Sequence, residues 1–354
     1  MTFDYRSVMS GERRDPLAML MRVGLRIAGG GYGFAIRRRN RGYDSGKREI
    51  HDCGVPVISV GNLTTGGTGK TPIVCFLART LRAQGLRVAI ISRGYGRGDA
   101  DANDEAMELH DRLPDVPHIQ DPDRVEAARI AVEELESQVL LMDDGFQHRR
   151  LHRNLDIVVI DVTCPFGYGH VLPRGLLREP ISGLTRADLV IMTRCDAVSE
   201  EVLESITRSI HQVAPELPIV RSRHMPTTLF THPDRNDPIE RLRGQTVAVL
   251  SAIGNPDAFR KTVEHCGAEV TAAKSLPDHD DYSPETVREL ATWAKSLNNR
   301  ASQVVCTHKD LVKLRTDRLG GLPLSAVLID LEIIEGANLI DPKLQQVVRQ
   351  GTGD

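Results

Sequence analysis

The run Thr64-Thr65-Gly66-Gly67-Thr68-Gly69-Lys70-Thr71-Pro72 restricts what this chain can fold into more than any other stretch, because of what flanks it. Val55 to Val60 before it reads as a buried strand, Thr71 to Gln84 as a helix closed by Gly85, and Arg87 to Ser92 as a second strand. Strand, loop, helix and strand in that order make a βαβ unit, and a βαβ unit demands a parallel sheet. Short apolar runs at Val139 to Met142, Asp156 to Asp161, Asp188 to Met192 and Pro218 to Val220 continue the pattern, with segments such as Arg124 to Leu135 between them. The expected fold class is α/β: a doubly wound, mainly parallel P-loop sheet with a second, smaller α/β domain.

The loop dictates its own chemistry. Small residues let backbone N–H groups approach phosphate oxygens, and the following helix N-terminus adds favourable partial charge. Lys70 then reaches the outer phosphates, the Thr71 hydroxyl can ligate Mg²⁺, and Pro72 sits where a missing N–H costs little. Thr64 stands where such loops usually carry their first glycine. Thr64 through Thr71 are therefore the candidate nucleotide-phosphate contacts. A loop of this class needs an acidic residue ending a neighbouring buried strand, and Val139-Leu140-Leu141-Met142-Asp143-Asp144 offers two. Asp143 and Asp144 would hold Mg²⁺ directly or through water; read alone, they would start a turn before Gly145. Thr193-Arg194-Cys195-Asp196 is similar to a guanine-reading box, but one tetrapeptide with Arg in place of Lys reads better as a solvated strand exit.

At 354 residues the chain has room for two cores. A polar, proline-marked stretch from Thr231 to Arg243 precedes a new strand, Thr246 to Leu250. Helices at Pro256 to Cys266 and Pro284 to Leu297 follow, with strands near Val304 to Cys306 and Val327 to Leu331. The expected division is an N-terminal amphipathic segment 1–41, a P-loop domain 42–230, a linker 231–243 and a smaller domain 244–354 whose end returns to the first. A composition 40% hydrophobic and only 4% aromatic disfavours disorder and a porin-like barrel, and a net charge of -3 argues against general nucleic-acid binding. Six scattered cysteines without a C-x-x-C pair indicate neither a disulfide framework nor a zinc site. Polar residues after Met1 and the lack of a long apolar run predict neither a secretory signal nor a bilayer span. Leu17, Leu20, Met21, Leu25 and Ile27 lie near helical spacing, ahead of Arg37, Arg38, Arg39 and Arg41. Such a helix suits either an ordinary core face or an anionic membrane surface, where each arginine is worth about 1 kcal/mol; Gly29, Gly30, Gly31 and Gly33 weaken it.

Several blocks in order resemble the tetraacyldisaccharide 4'-kinase family: Val60-Gly61-Asn62-Leu63, Ser92-Arg93-Gly94-Tyr95-Gly96, Asp104-Glu105, and Asp143-Asp144-Gly145-Phe146-Gln147-His148. Leu172-Pro173, Leu177-Arg178-Glu179-Pro180, Gly254-Asn255-Pro256, Pro277-Asp278-His279 and Lys309-Asp310 with Val312-Lys313-Leu314 are similar too, so the resemblance spans nearly the whole chain. It implies transfer of the γ-phosphoryl group of ATP, with Mg²⁺, to the 4'-hydroxyl of an acylated glucosamine disaccharide 1-phosphate, giving lipid IVA. It also implies a peripheral enzyme on the cytoplasmic face of the inner membrane, with no nucleic-acid partner and no obligate protein partner expected. Arg174, Asp280 and His308 depart from the family pattern.

The resemblance implies Asp104 as part of the base, aided by His279, with Asp fixing the tautomer and charge of the imidazole. Read without it, Asp104 and Glu105 are ordinary acids in a first helical turn behind Asn103, and His279 lies in an acidic turn. His148 is a candidate γ-phosphate contact or a loop histidine. Glu179 is a candidate for the metal shell, and Arg93, Arg178 and Asn255 for substrate contact. Competing readings are another P-loop sugar or lipid kinase, a metal-insertion GTPase, and a non-enzymatic nucleotide switch at a membrane.

Overall fold

The computed structural model describes residues 5–94, 104–277, 280–297 and 299–352. In chain order the elements begin α1 (Tyr5–Ser10), α2 (Pro16–Asp44), β1 (Val57–Asn62), α3 (Lys70–Ala83), β2 (Val88–Ser92), α4 (Asp104–Arg112), β3 (His118–Gln120), α5 (Arg124–Glu133), β4 (Val139–Asp143), β5 (Leu155–Asp161), β6 (Leu189–Thr193) and α6 (Glu200–His211). They continue β7 (Ile219–Thr231), β8 (Arg235–Pro238), β9 (Thr246–Ser251), α7 (Pro256–His265), β10 (Glu269–Ser275), α8 (Pro284–Ser296), β11 (Gln303–Thr307), α9 (His308–Leu314), β12 (Arg318–Leu319), β13 (Leu322–Glu335) and α10 (Ala337–Thr352). The chain divides into two compact units, the first made of residues 1–93, 116–223 and 331–354, the second of 94–115 and 224–330.

In the first unit the strand order is β7-β6-β5-β1-β4-β2-β3, every pairing parallel. β1, β2, β4, β5 and β6 are buried along their whole length, which is why they read as unbroken apolar runs rather than alternating ones. α3 buries Ile73, Leu77 and Leu81, four residues apart on one helical face. β4 lies directly beside β1, with Val60 opposite Asp143, so the acidic end of β4 arrives beside the phosphate loop. Gly61 makes the approach possible, since a Cβ there would stand 2.6 Å from the Phe146 backbone nitrogen.

Four glycines were expected to weaken α2, yet the helix runs unbroken for 29 residues. Asp15 caps it by accepting from the Ala18 N–H at 3.1 Å, with Pro16 in the first turn. Tertiary contacts then override propensity. Gly29 lets the 171–174 loop close in, the Val171 carbonyl lying 3.5 Å from where a Cβ would be. The Tyr32 hydroxyl donates to the Arg178 carbonyl at 2.8 Å, and Arg149 pairs with Asp44 at 2.7 Å. Leu17, Leu20, Val23, Ile27 and Phe34 remain exposed, Ile27 at 75%.

The second unit orders its parallel strands β10-β9-β11-β13, around a core that includes Leu250, Leu290, Val304, Cys306 and Leu324. The observed division differs from the expected one. Residues 231–243 are not a linker: they hold the turn of an antiparallel hairpin between β7 and β8 and a 3-10 turn. The chain instead leaves the first unit inside β7 and returns inside β13, and α4 belongs to the second unit. β7 is thirteen residues long where only Pro218 to Val220 was expected. Its polar residues are matched by partners, Ser222 donating to the Met192 carbonyl at 2.8 Å and Arg223 pairing with Glu332 at 2.8 Å.

Candidate phosphate-binding and catalytic site

The phosphate loop leaves β1 and is held on both sides. The Leu63 carbonyl accepts from the Arg178 N–H at 2.7 Å, and the Thr65 N–H donates to the Leu176 carbonyl at 2.8 Å. From the other side the Thr193 hydroxyl donates to the Thr68 carbonyl at 3.0 Å. Thr64 and Thr68 are buried, while Gly66 and Gly67 form an exposed apex. Gly69, at φ 83°, turns the chain into α3 from the left-handed region that glycine adopts without a Cβ penalty. It offers no side-chain cap, so no N-cap side chain occupies the first N–H groups of α3. The expected solvated exit at Thr193 is corrected here: Thr193 is fully buried on the loop, and Arg194 pairs with Asp161.

Lys70 Nζ lies 3.3 Å from Asp144 Oδ1 and 3.5 Å from Asn62 Oδ1. Arg178 Nη1 donates to the other oxygen of Asp144 at 2.6 Å. Asp143, 7% exposed, accepts from the Asp144 N–H at 2.9 Å. Burial alone would raise the Asp144 carboxyl, but the Lys70 ammonium and the Arg178 guanidinium outweigh it and hold it below the usual carboxylate range. His148 follows one turn later. Burial first, then the charges of Arg124, Arg150 and Arg153, push its imidazole down to about 4, and Nε2 has no hydrogen-bond partner among the described residues.

One cation here escaped the sequence reading. Arg124, the buried first residue of α5, sits in the combined field of Asp144, Arg93, Asp143 and Asp121. Its signal was local: Asp123 caps α5 by accepting from the Val125 N–H at 3.0 Å, which fixes Arg124 in the first turn. Arg93 itself is exposed just past β2.

Glu179, expected in a metal shell, is placed otherwise. It is 0% exposed; Oε1 accepts from Gln147 Nε2 at 3.0 Å, and Oε2 from Asn40 Nδ2 at 3.1 Å and Arg186 Nη2 at 2.8 Å. A fully buried carboxylate with three donors is an anchor between α2 and the loop after Gly145. Asn255, expected to touch substrate, caps α7 by accepting from the Ala258 N–H at 3.1 Å. Among the described residues no three His, Cys, Asp or Glu side chains cluster as a metal cage. Magnesium needs no such cage, because it keeps waters and takes one or two carboxylates plus substrate phosphates. Thr71 with Asp143 and Asp144 fits that donor set.

In the second unit Asp104 is the first residue of α4, and Lys313 Nζ reaches its Oδ2 at 2.8 Å. His279 lies outside the described residues. α4 is fastened to its own unit through buried His308, 3.7 Å from Glu108 and 3.3 Å from Asp111, and through Arg112, which pairs with Asp330.

The family model LpxK, tetraacyldisaccharide-1-P 4'-kinase, matches residues 21–348. A tetraacyldisaccharide 4'-kinase of Anaeromyxobacter dehalogenans (strain 2CP-C) is 40% identical over an alignment covering 94% of this chain and 92% of that protein. One from Geobacter sulfurreducens is 35% identical, covering 95% and 96%. A crystal structure of an "apo" form of LpxK from Aquifex aeolicus in complex with ATP superposes with a TM-score of 0.75 at 30% identity, covering 93% of this chain and 99% of that one.

Proposed function

The chain belongs to the tetraacyldisaccharide 4'-kinase family, and from that premise we propose that it transfers the γ-phosphoryl group of ATP to the 4'-hydroxyl of a tetraacylated glucosamine disaccharide 1-phosphate, forming lipid IVA for lipid A assembly. The observation that carries the proposal is Lys70 opening α3 beside Asp144 at the end of β4, the arrangement phosphoryl transfer needs for charge neutralisation.

The loop from Thr64 to Thr71 cradles the phosphates through backbone N–H groups, and Lys70 balances charge on the outer ones. Thr71, Asp143 and Asp144 would hold Mg²⁺, which when bound neutralises phosphate charge. Arg178 and Arg124 add positive charge beside the same aspartates. His148, whose Nε2 has no hydrogen-bond partner among the described residues, is the proposed γ-phosphate contact. Glu179 anchors α2 instead of binding metal. In the second unit Asp104 with His279 takes the acceptor's proton, the carboxylate holding the imidazole's tautomer and charge. Arg93 and Arg178 remain the proposed contacts for nucleotide or for the substrate's anomeric phosphate.

No helix among the described residues is long and apolar enough to cross a membrane. The exposed stripe of α2, with arginines along the same helix, suits an anionic surface, so we place the enzyme peripherally on the cytoplasmic face of the inner membrane. Purified protein with labelled ATP and the acylated disaccharide 1-phosphate in detergent should yield a doubly phosphorylated lipid. A preference for GTP, or nucleotide hydrolysis with no lipid product, would refute the proposal.

A further inference from the structure

α9 carries more polar fastenings than a seven-residue helix needs for its own stability. Its cap is complete: Thr307 Oγ1 accepts from the Asp310 N–H at 3.3 Å, and Asp310 Oδ2 accepts back from the Thr307 N–H at 3.2 Å. Asp310 then uses its other oxygen for two further donors, the Ala252 N–H at 3.1 Å and the Tyr282 hydroxyl at 2.8 Å. One turn along, Lys313 Nζ reaches Asp104 Oδ2 at 2.8 Å and donates to the Asp280 carbonyl at 2.7 Å. The lysine is 13% exposed, so its ammonium gives up water for these two partners.

Those partners lie far apart in sequence, and both belong to the stretches assigned to the proton acceptor. Asp104 is one of the assigned residues; Asp280 is the residue after His279. We infer that Lys313 is a positioning residue for the phosphoryl transfer: its ammonium ties the Asp104 carboxylate and the backbone next to His279 to a single platform, α9. The inference rests on the proposed role of Asp104 as part of the base and adds what holds it in place.

The chemistry favours this arrangement over a chance surface pair. Two donor directions of one ammonium are committed, one to a side-chain carboxylate and one to a main-chain carbonyl, so the second fixes the first. Neighbouring bonds limit how far either partner can drift. Tyr282 is bound to Asp310, and His308 meets Glu108 and Asp111, one and two turns along α4 from Asp104. Geometry at a proton acceptor is expensive to lose, since a 1 Å misplacement can cost about 10²-fold in rate.

The test is a double-mutant cycle on the full chain with Lys313→Met, which keeps the aliphatic stem and removes the charge, and Asp104→Ala. Measured are kcat at saturating ATP and acceptor, the Kd for ATP, and rescue by Lys313→Arg. Expected are a kcat loss of about 10- to 100-fold for Lys313→Met and about 10²- to 10⁴-fold for Asp104→Ala. On the Asp104→Ala background the Lys313→Met change should cost less than about twofold, because what it positions is already gone. ATP Kd should stay within about twofold throughout, and Lys313→Arg should recover most of the loss. If Lys313→Met stays near wild type, or costs the same on both backgrounds, as a folding defect would, the positioning role is overturned while the base assignment stands. If Asp104→Ala itself keeps nearly full kcat, the base assignment falls.

Discussion

Replacing Glu179 with alanine separates two roles a carboxylate beside a phosphate site can have. The wild-type side chain is fully buried and accepts three hydrogen bonds, from Asn40, Gln147 and Arg186. Breaking a buried ion pair by removing one partner typically costs about 3–5 kcal/mol, because the remaining charge is left uncompensated. Arg186 is 17% exposed and its guanidinium lies over the Phe146 ring at 4.7 Å, so part of its charge stays solvated or cushioned. The expected loss is therefore at the lower end, about 3 kcal/mol, or roughly 6 °C or more in the melting temperature of the first unit. Differential scanning calorimetry reads the stability, and Mg²⁺ titration of ATP binding reads the metal. The variant should melt early with its Mg²⁺ midpoint unchanged. A variant as stable as wild type, with a weakened Mg²⁺ midpoint, would return Glu179 to the metal shell and refute the reasoning.

Three further outcomes are expected. Lys70→Ala and Thr71→Ala each lower turnover by about 10²-fold or more, since each removes charge or ligation at the transferring phosphate, and near wild-type rates in a steady-state assay would remove the loop from the mechanism. Leu20→Glu with Ile27→Glu places two acids in the exposed stripe of α2 and should release the protein from anionic vesicles in co-sedimentation; undiminished pelleting would show that the stripe is not the anchor. For His308, burial alone would lower the imidazole, but Asp111 and Glu108 outweigh it and raise it. A raised folded-state pKa gives stability that is full below the unfolded value of about 6.5 and is lost as pH rises through the folded value. The melting-temperature gap between wild type and His308→Gln should thus be widest in mild acid and close toward alkaline pH. A gap independent of pH would mean that the histidine is neutral between its carboxylates.

What was legible in the sequence was whatever depended on local order. The apolar run, Gly-Lys-Thr and the helix behind them specify the loop, and the apolar run ending in Asp143 and Asp144 specifies its acidic partner, because each is a strand end with a short-range pattern. Residues whose role depends on partners far along the chain were not legible. Glu179 looks like a metal candidate beside Arg178, and only the arrival of Asn40 and Gln147 closes its carboxylate. β7 is too polar to read as thirteen residues of strand until Met192, Glu332 and Asp330 answer Ser222, Arg223 and Thr227. The glycines of α2 count against a helix in isolation and serve one when the 171–174 loop packs on Gly29. The Asp123 cap places Arg124 in the first turn of α5, but nothing local to that helix hints that a strand will bring two aspartates beside it.

Asp144 shows why the loop and its acidic partner form one device. It is a non-glycine residue at φ 52°, a conformation that Asp tolerates better than most side chains but that still costs energy. That turn sends the chain out of β4 with one carboxylate oxygen toward Lys70 and the other toward Arg178. Glycine would adopt the same backbone angle without strain and lose both ion pairs; a β-branched residue would lose the angle as well. Lys70 comes from the helix after β1, whereas Arg178 comes from a loop whose backbone is already bonded to Leu63 and Thr65. A single carboxylate therefore holds two cations from different segments, both proposed above to meet phosphate. Arriving phosphate oxygens can then draw the two cations over a short distance instead of ordering free side chains, so less side-chain entropy is lost when the nucleotide binds.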